Sequence, residues 1–328
     1  MPAELLNPDG LILSDAYEET MKTVVLPALD AHGKRSSVKG DQGRSLACRQ
    51  VFSDQGRGTV MIVHGFTESA FKFSELSYSL WANGYSVCAY DQRGHGFSWR
   101  RREIEDRSLT HVDDFEEYVR DMEHVVDELL KDMPKPWYIF AHSMGGAVAS
   151  LYLERHDGVF QKAVLCAPMI APNLGGMPAP LIRAICRGAK TLKRGQRRVF
   201  VSRPFSGPED FTTSCATGRA RFDWYDAVRV STPEYQNNGP TYGWTLEAAN
   251  CIRKLLAPGA PEAISIPVRL YTAEDDSSVM PKPQLSFIRR VKKGERKLVK
   301  GSRHEIYRSN DEVLFPWWHE ILEFYAEA

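Results

Sequence analysis

Ser143 stands in the run Phe140-Ala141-His142-Ser143-Met144-Gly145-Gly146, with small residues at −2, +2 and +3. The apolar stretch Trp137-Tyr138-Ile139-Phe140 before it reads as a buried strand, and residues 147–153 after it read as a helix. A serine pinched between strand and helix by small side chains is a nucleophile elbow. The turn is too tight for bulky neighbours, and it holds Oγ out into a cleft. The first N–H groups of the helix then face whatever the serine attacks. The chemistry expected is acyl transfer through a covalent intermediate. Ala141 replaces the usual first glycine, a departure that the sterics tolerate.

A serine hydroxyl needs a base to take its proton, and the base needs a carboxylate to fix its tautomer. Behind such an elbow the chain order is serine, acid, histidine. The strand-like run Val268-Arg269-Leu270-Tyr271 leads into Thr272-Ala273-Glu274-Asp275-Asp276-Ser277-Ser278-Val279. The run Lys297-Leu298-Val299 leads into Lys300-Gly301-Ser302-Arg303-His304-Glu305. An acid cluster therefore follows one strand and a histidine the next. His304 is the expected base; His319 falls inside a terminal helical pattern and reads as packing or surface. Among the acids the Ala-x-x-Asp-x-x-Val spacing favours Asp276, with Asp275 second and Glu274 third. The turn after the preceding strand, Cys166-Ala167-Pro168, offers no carboxylate. Two N–H donors must hold the oxyanion. Met144, beside the nucleophile, supplies one. Phe66, in the turn His64-Gly65-Phe66-Thr67, supplies the other. His64 precedes the serine and is expected to brace that turn; His142 is expected to point away from Oγ.

These residues need a scaffold. Apolar, β-rich runs at 59–63, 85–90, 137–140, 163–166, 268–271 and 297–299 alternate with helical patterns near 72–83, 113–132, 145–156, 281–292 and 311–327. Buried strands alternating with helices predict a mostly parallel sheet covered on both faces, with its chemistry beyond the carboxyl ends of the strands. The rhythm fails between about Met169 and Gly259, a stretch too long for a loop. It reads as a helical cap, residues 169–259, inserted into a core of residues 1–168 and 260–328.

The chain has 328 residues, 42 basic against 42 acidic, and a hydrophobic content of 43%. Zero net charge gives no reason to expect nucleic acid as partner. No apolar stretch approaches the roughly 18–20 residues that a membrane span requires. Residues 1–20 are acidic and lack the pattern of a signal peptide. The six cysteines form no CxxC pair and read as reduced thiols in a cytoplasmic protein. The chemistry calls for no metal and no organic cofactor.

Four segments then carry a resemblance: His64-Gly65-Phe66, Asp91-Gln92-Arg93-Gly94-His95-Gly96-Phe97-Ser98, the elbow, and Gly301-Ser302-Arg303-His304-Glu305. They resemble the α/β-hydrolase branch that holds monoacylglycerol lipases and bacterial lysophospholipases. The cap adds Thr213-Ser214, Arg219-Ala220-Arg221-Phe222 and Gly239-Pro240-Thr241-Tyr242-Gly243-Trp244, which look more like the lysophospholipases. The resemblance implies the α/β-hydrolase fold with a helical cap (lid). It also implies hydrolysis of single-acyl lipid esters, lysophospholipid or monoacylglycerol, by Ser143, Asp276 and His304. The Asp-x-Arg-Gly-His-Gly segment is structural in that family, so Asp91, Arg93 and His95 are not counted as catalytic. Trp224, Tyr242 and Trp244 of the cap are taken as substrate-binding.

Residues 158–208 contain no Asp or Glu but many Lys and Arg. Leu181, Ile185 and Leu192 are expected to share one helical face, and Arg183, Arg187, Lys190 and Arg194 another. The basic face is either solvated or rests peripherally on anionic membrane. Two rival functions remain. An aminopeptidase needs carboxylates to bind a free amine, against which the acid-free start of the cap speaks. A hydrolase-fold binding protein without turnover would have no need of an intact Ser-Asp-His order.

Overall fold

The computed structural model describes residues 5–327. Its strands are β1 (Gly33–Lys39), β2 (Ser45–Val51), β3 (Thr59–Val63), β4 (Ser86–Tyr90), β5 (Leu109–Thr110), β6 (Trp137–His142), β7 (Lys162–Cys166), β8 (Gly239–Pro240), β9 (Pro267–Asp275) and β10 (Lys293–Arg303). Its α-helices are α1 (Tyr17–Thr20), α2 (Leu26–Ala31), α3 (Ser74–Ala82), α4 (Glu116–Glu128), α5 (Met144–Leu153), α6 (Ala179–Thr191), α7 (Arg219–Ser231), α8 (Tyr242–Leu255), α9 (Ala260–Ala263), α10 (Pro281–Ile288) and α11 (Asp311–Ala326).

Eight strands form one sheet in the order β1-β2-β4-β3-β6-β7-β9-β10. The pairs β1–β2 and β2–β4 are antiparallel, and the rest are parallel. Alternate side chains of β3 feed opposite faces. Met61 and Val63 join a core with Val119 and Met122 of α4, α5, and Phe287 of α10. Val60 and Ile62 join a second core with Leu76 of α3 and Trp317 and Trp318 of α11. Each fully buried side chain of this kind stabilises the fold by about 1.5–3 kcal/mol.

Between β7 and β9 the chain carries α6, α7, α8 and α9. This insertion is bound to the rest of the chain at several points. Arg221 of α7 is buried and donates to Glu75 of α3 at 2.9 and 2.8 Å and to Asp311 at 2.7 Å. Breaking such a buried network costs about 3–5 kcal/mol. The strand β8 pairs in parallel with β5, and Gly218 N–H donates to the Arg308 carbonyl.

One expectation is corrected. Arg194 is not on α6, which ends at Thr191. Leu181, Ile185 and Leu192, expected to share one face, are 50%, 37% and 70% exposed. The residues that pack inward are Ile182 and Cys186, against Leu246 of α8. The stripe that packs on α8 thus lies one residue on from Leu181 and Ile185.

Candidate active site

The elbow is a strained turn. Ser143 has φ 49° and ψ −117°, outside the regions an L-residue prefers. Its N–H donates to the Cys166 carbonyl, and its carbonyl accepts from Gly146, Ala147 and Met169. The glycines that follow are sterically required. A Cβ on Gly145 would stand 2.1 Å from the Val63 carbonyl oxygen, and one on Gly146 2.5 Å from Pro168 Cβ.

Three strand ends deliver three side chains to one line. Ser143 Oγ lies 2.9 Å from His304 Nε2, and His304 Nδ1 lies 2.9 Å from Asp276 Oδ2. The other Asp276 oxygen accepts the Ser278 and Val279 N–H groups, both at 2.9 Å. With Nδ1–H donating to the carboxylate, Nε2 is left to accept the serine proton. Burial pushes the Asp276 carboxyl up, but the His304 hydrogen bond and charge and the two N–H donors outweigh it, so it sits below the usual range. Asp275 and Glu274 are exposed, and Glu274 accepts from Gly301 N–H instead. β9 runs on through Asp275 and β10 through Arg303, further than the short apolar runs indicated, so Asp276 and His304 directly follow strand ends.

The turn after β3 closes over the serine. A Cβ on Gly65 would lie 3.0 Å from Ser143 Cβ, so glycine is needed for that approach. Phe66 comes next, and Met144, the first residue of α5, is fully buried. His64 Nδ1 lies 2.7 Å from the Gly65 carbonyl and its Nε2 accepts from Gln92 N–H at 2.9 Å, which ties the turn to the segment after β4.

A family model described as "Serine aminopeptidase, S33" matches residues 54–311. The chain belongs to this hydrolase family. It is a carboxylic ester hydrolase by class. Lysophospholipase L2 of Escherichia coli (strain K12) is 31% identical over 277 residues, 81% of this chain and 79% of that protein. Human monoglyceride lipase is 34% identical over 134 residues, 40% of this chain and 42% of that one. A solved structure of a soluble variant of monoglyceride lipase from Saccharomyces cerevisiae, in complex with a substrate analog, has the same fold. It gives a TM-score of 0.71 at 22% identity, over 89% of this chain and 94% of that one.

The three insertion aromatics separate in this family member. The Trp244 ring lies 4.1 Å from that of Phe66, against the turn beside the serine. Tyr242 packs inside the insertion on Ile182, Cys186 and Leu246. Trp224 packs on Phe71 and Tyr17, joining the insertion to the N-terminal segment. Trp224 and Tyr242 thus each have packing partners, Tyr242 within the insertion and Trp224 at its junction with the N-terminal segment. Asp91 accepts the Ala70 and Phe97 N–H groups, and Arg93 is bound by Asp121 and Glu117, so both organise loops.

Sequence reasoning missed a buried polar cluster behind the line of three. Glu68 accepts from His142, Gly65 N–H and the Tyr307 hydroxyl, while Lys72 bonds Glu305. The available signal was a buried elbow histidine with no stated partner. A cavity of about 370 Å³ opens nearby, lined by Thr67, Lys72, Cys215, Tyr225, Glu305 and Arg308 among others. Among the described residues no group of three metal-type side chains converges.

Proposed function

We propose that this enzyme hydrolyses single-acyl lipid esters, lysophospholipid or monoacylglycerol, through an acyl-enzyme on Ser143. The observation that carries this reading is the unbroken line Ser143–His304–Asp276, each contact at 2.9 Å. Ser143 Oγ attacks the ester carbonyl as His304 Nε2 takes its proton, and Asp276 holds the imidazole in the required tautomer and stabilises its charge. The Phe66 and Met144 N–H groups receive the oxyanion. His304 then protonates the leaving alcohol. Water, deprotonated by the same histidine, releases the fatty acid.

The lipid substrate is supported by the relatives named above, of which the lysophospholipase matches over 277 residues and the human monoglyceride lipase over 134. Residues 169–259 are read as a cap, with Trp244 on Phe66 as part of the acyl wall. Their basic α6 also exposes Leu181 and Ile185, with Leu192, Phe200 and Val201 beyond it. Apolar side chains among Arg187, Lys190 and Arg194 suit a surface that rests on anionic lipid.

The family description favours a second reading, an aminopeptidase. Carboxylates Glu209, Asp210, Asp226 and Glu305 line the cavity beside the site. Glu305 is already bound by Lys72 and Arg308, and Glu209 by Arg229, which leaves less charge for a substrate amine. The test compares turnover of monoacylglycerol, lysophospholipid, a soluble nitrophenyl ester and aminoacyl amides by the unmodified enzyme and Ser143→Ala. A fluorophosphonate should label Ser143 alone, and the substitution should abolish label and ester turnover together. Preferred turnover of amides would install the peptidase reading.

A further inference from the structure

The two buried histidines beside the serine have opposite hydrogen-bond surroundings. His64 Nε2 accepts a backbone N–H from Gln92, so its ring needs one proton, on Nδ1 toward the Gly65 carbonyl. His142 has an acceptor at each nitrogen. Its Nδ1 lies 3.0 Å from Glu68 Oε2 and its Nε2 lies 3.1 Å from the backbone carbonyl of His304. A neutral imidazole has one N–H and satisfies only one of these. The ring is 1% exposed, so water cannot supply the missing donor cheaply.

The alternative is a neutral pair in which Glu68 carries the proton and donates it to Nδ1. The surroundings of Glu68 oppose this. Oε2 accepts Gly65 N–H, Oε1 accepts the Tyr307 hydroxyl at 2.6 Å, and Lys72 Nζ stands 3.6 Å from Oε1. Burial alone would push the Glu68 carboxyl up, but His142, Lys72 and the hydrogen bonds hold it well below the usual range. Burial pulls His142 down, and the Glu68 charge and hydrogen bond outweigh it and raise the ring's affinity for its proton.

We propose that His142 is a doubly protonated positioning residue that clamps the turn beside Ser143 to the backbone of His304. The inference rests on Ser143 and His304 being the reacting pair. One N–H reaches Glu68, which holds Gly65 N–H and so the turn that carries Phe66. The other N–H reaches the His304 carbonyl directly. Oxyanion donor and base are thereby fixed to each other through one ring. Its charge is set by every group that faces it: Glu68 with Lys72 behind it, Glu305, His304 and Tyr307 from the segment after β10, and Cys166 from β7.

The direct test is nitrogen-15 NMR of histidine-labelled, unmodified enzyme near neutral pH, with the His142 signals assigned by their loss in His142→Asn. Both ring nitrogens should carry protons. A bare ring nitrogen overturns the proposal. The functional test uses Glu68→Gln, which keeps shape but removes the counter-charge. Without that charge the ring gives up its proton at lower pH, so the alkaline limb of kcat should move down in pH. At the optimum kcat per fluorophosphonate-titrated site should fall on the order of 10–100-fold, as for a misplaced catalytic group, with KM little changed. Glu68→Asp should restore part of the profile. If Glu68 were only structural, the titratable fraction and stability would fall while the limb stayed in place, and that result overturns the clamp. Failure of the unmodified protein to take the label at Ser143 would instead remove the reading on which the clamp rests.

Discussion

Trp244 of α8 lies face-tilted on Phe66, with ring centroids 4.1 Å apart and planes at 37°. A residue of the insertion therefore holds the turn that approaches Ser143 most closely. Such aromatic pairs contribute about 0.5–1.5 kcal/mol beyond the area that they bury. Trp244→Ala should lower stability by about 3–5 kcal/mol and should reduce kcat on a small soluble ester as well as on lipid. Trp244→Phe should recover most of both. Denaturant unfolding and steady-state kinetics check this; a kcat on the small ester that survives Trp244→Ala would show that the turn keeps its position unaided.

Asp276 and Asp275 are adjacent, yet only Asp276 faces His304. Asp276→Asn should cut turnover about 10⁴-fold, because an amide offers Nδ1–H a poorer acceptor and permits the wrong tautomer. Asp275→Asn should leave kcat within a small factor. Equal losses from the two substitutions would mean that the turn acts as a unit and that no single carboxylate orients the base.

Glu116 at the start of α4 bonds Arg155 at 2.6 and 2.9 Å and Lys254 of α8 at 2.7 Å. Burial pushes its carboxyl up, but these partners outweigh it and bring it to about 2. A carboxyl held below its unfolded value stabilises the fold above the ordinary carboxylate range, and that contribution is lost as pH falls through about 2. Both cations are about 40% exposed, so screening reduces the gain. Glu116→Gln should cost about 1 kcal/mol at neutral pH. The cost should vanish in strong acid. Urea titrations of both proteins across pH check the convergence.

The sheet was legible wherever its strands are buried on both faces. β3, β4, β6 and β7 are entirely or almost entirely buried, and such strands appear in sequence as unbroken apolar runs. β1, with Gly-Lys-Arg-Ser-Ser-Val-Lys, escaped notice because it is an edge strand with one buried side chain. Most of β10 is exposed for the same reason, and only Leu298-Val299 betrayed it. Ser143, Asp276 and His304 were legible because each directly follows a strand in a fixed chain order. The Glu68–His142 contact was not, since it joins residues 74 apart through side chains whose pairing no local pattern encodes. The packing side of α6 was not legible, because apolar residues lie on more than one side of it and the sequence does not say which side meets α8.

The exposed side of α6 bears on the membrane. Leu181, Ile185 and Leu192 of the α6 region, with Phe200 and Val201, present apolar side chains outward amid Arg187, Lys190, Arg194 and Arg197. Arg198 is excluded from this surface, since it is bound by Asp106 at 2.6 Å. Two forces should therefore act in sequence. Basic residues near an anionic leaflet contribute about 1 kcal/mol each, fading over about a Debye length. The apolar side chains then add salt-insensitive burial. Charge reversal at Arg187, Lys190 and Arg194 should weaken sedimentation with anionic vesicles at low salt. Leu192→Ser with Phe200→Ser should weaken the binding that persists at high salt. Neither set touches Ser143 or its partners, so hydrolysis of a soluble ester should be unchanged. Vesicle binding that is absent in the unmodified protein, or indifferent to both sets, would return this face to the role of a solvated surface.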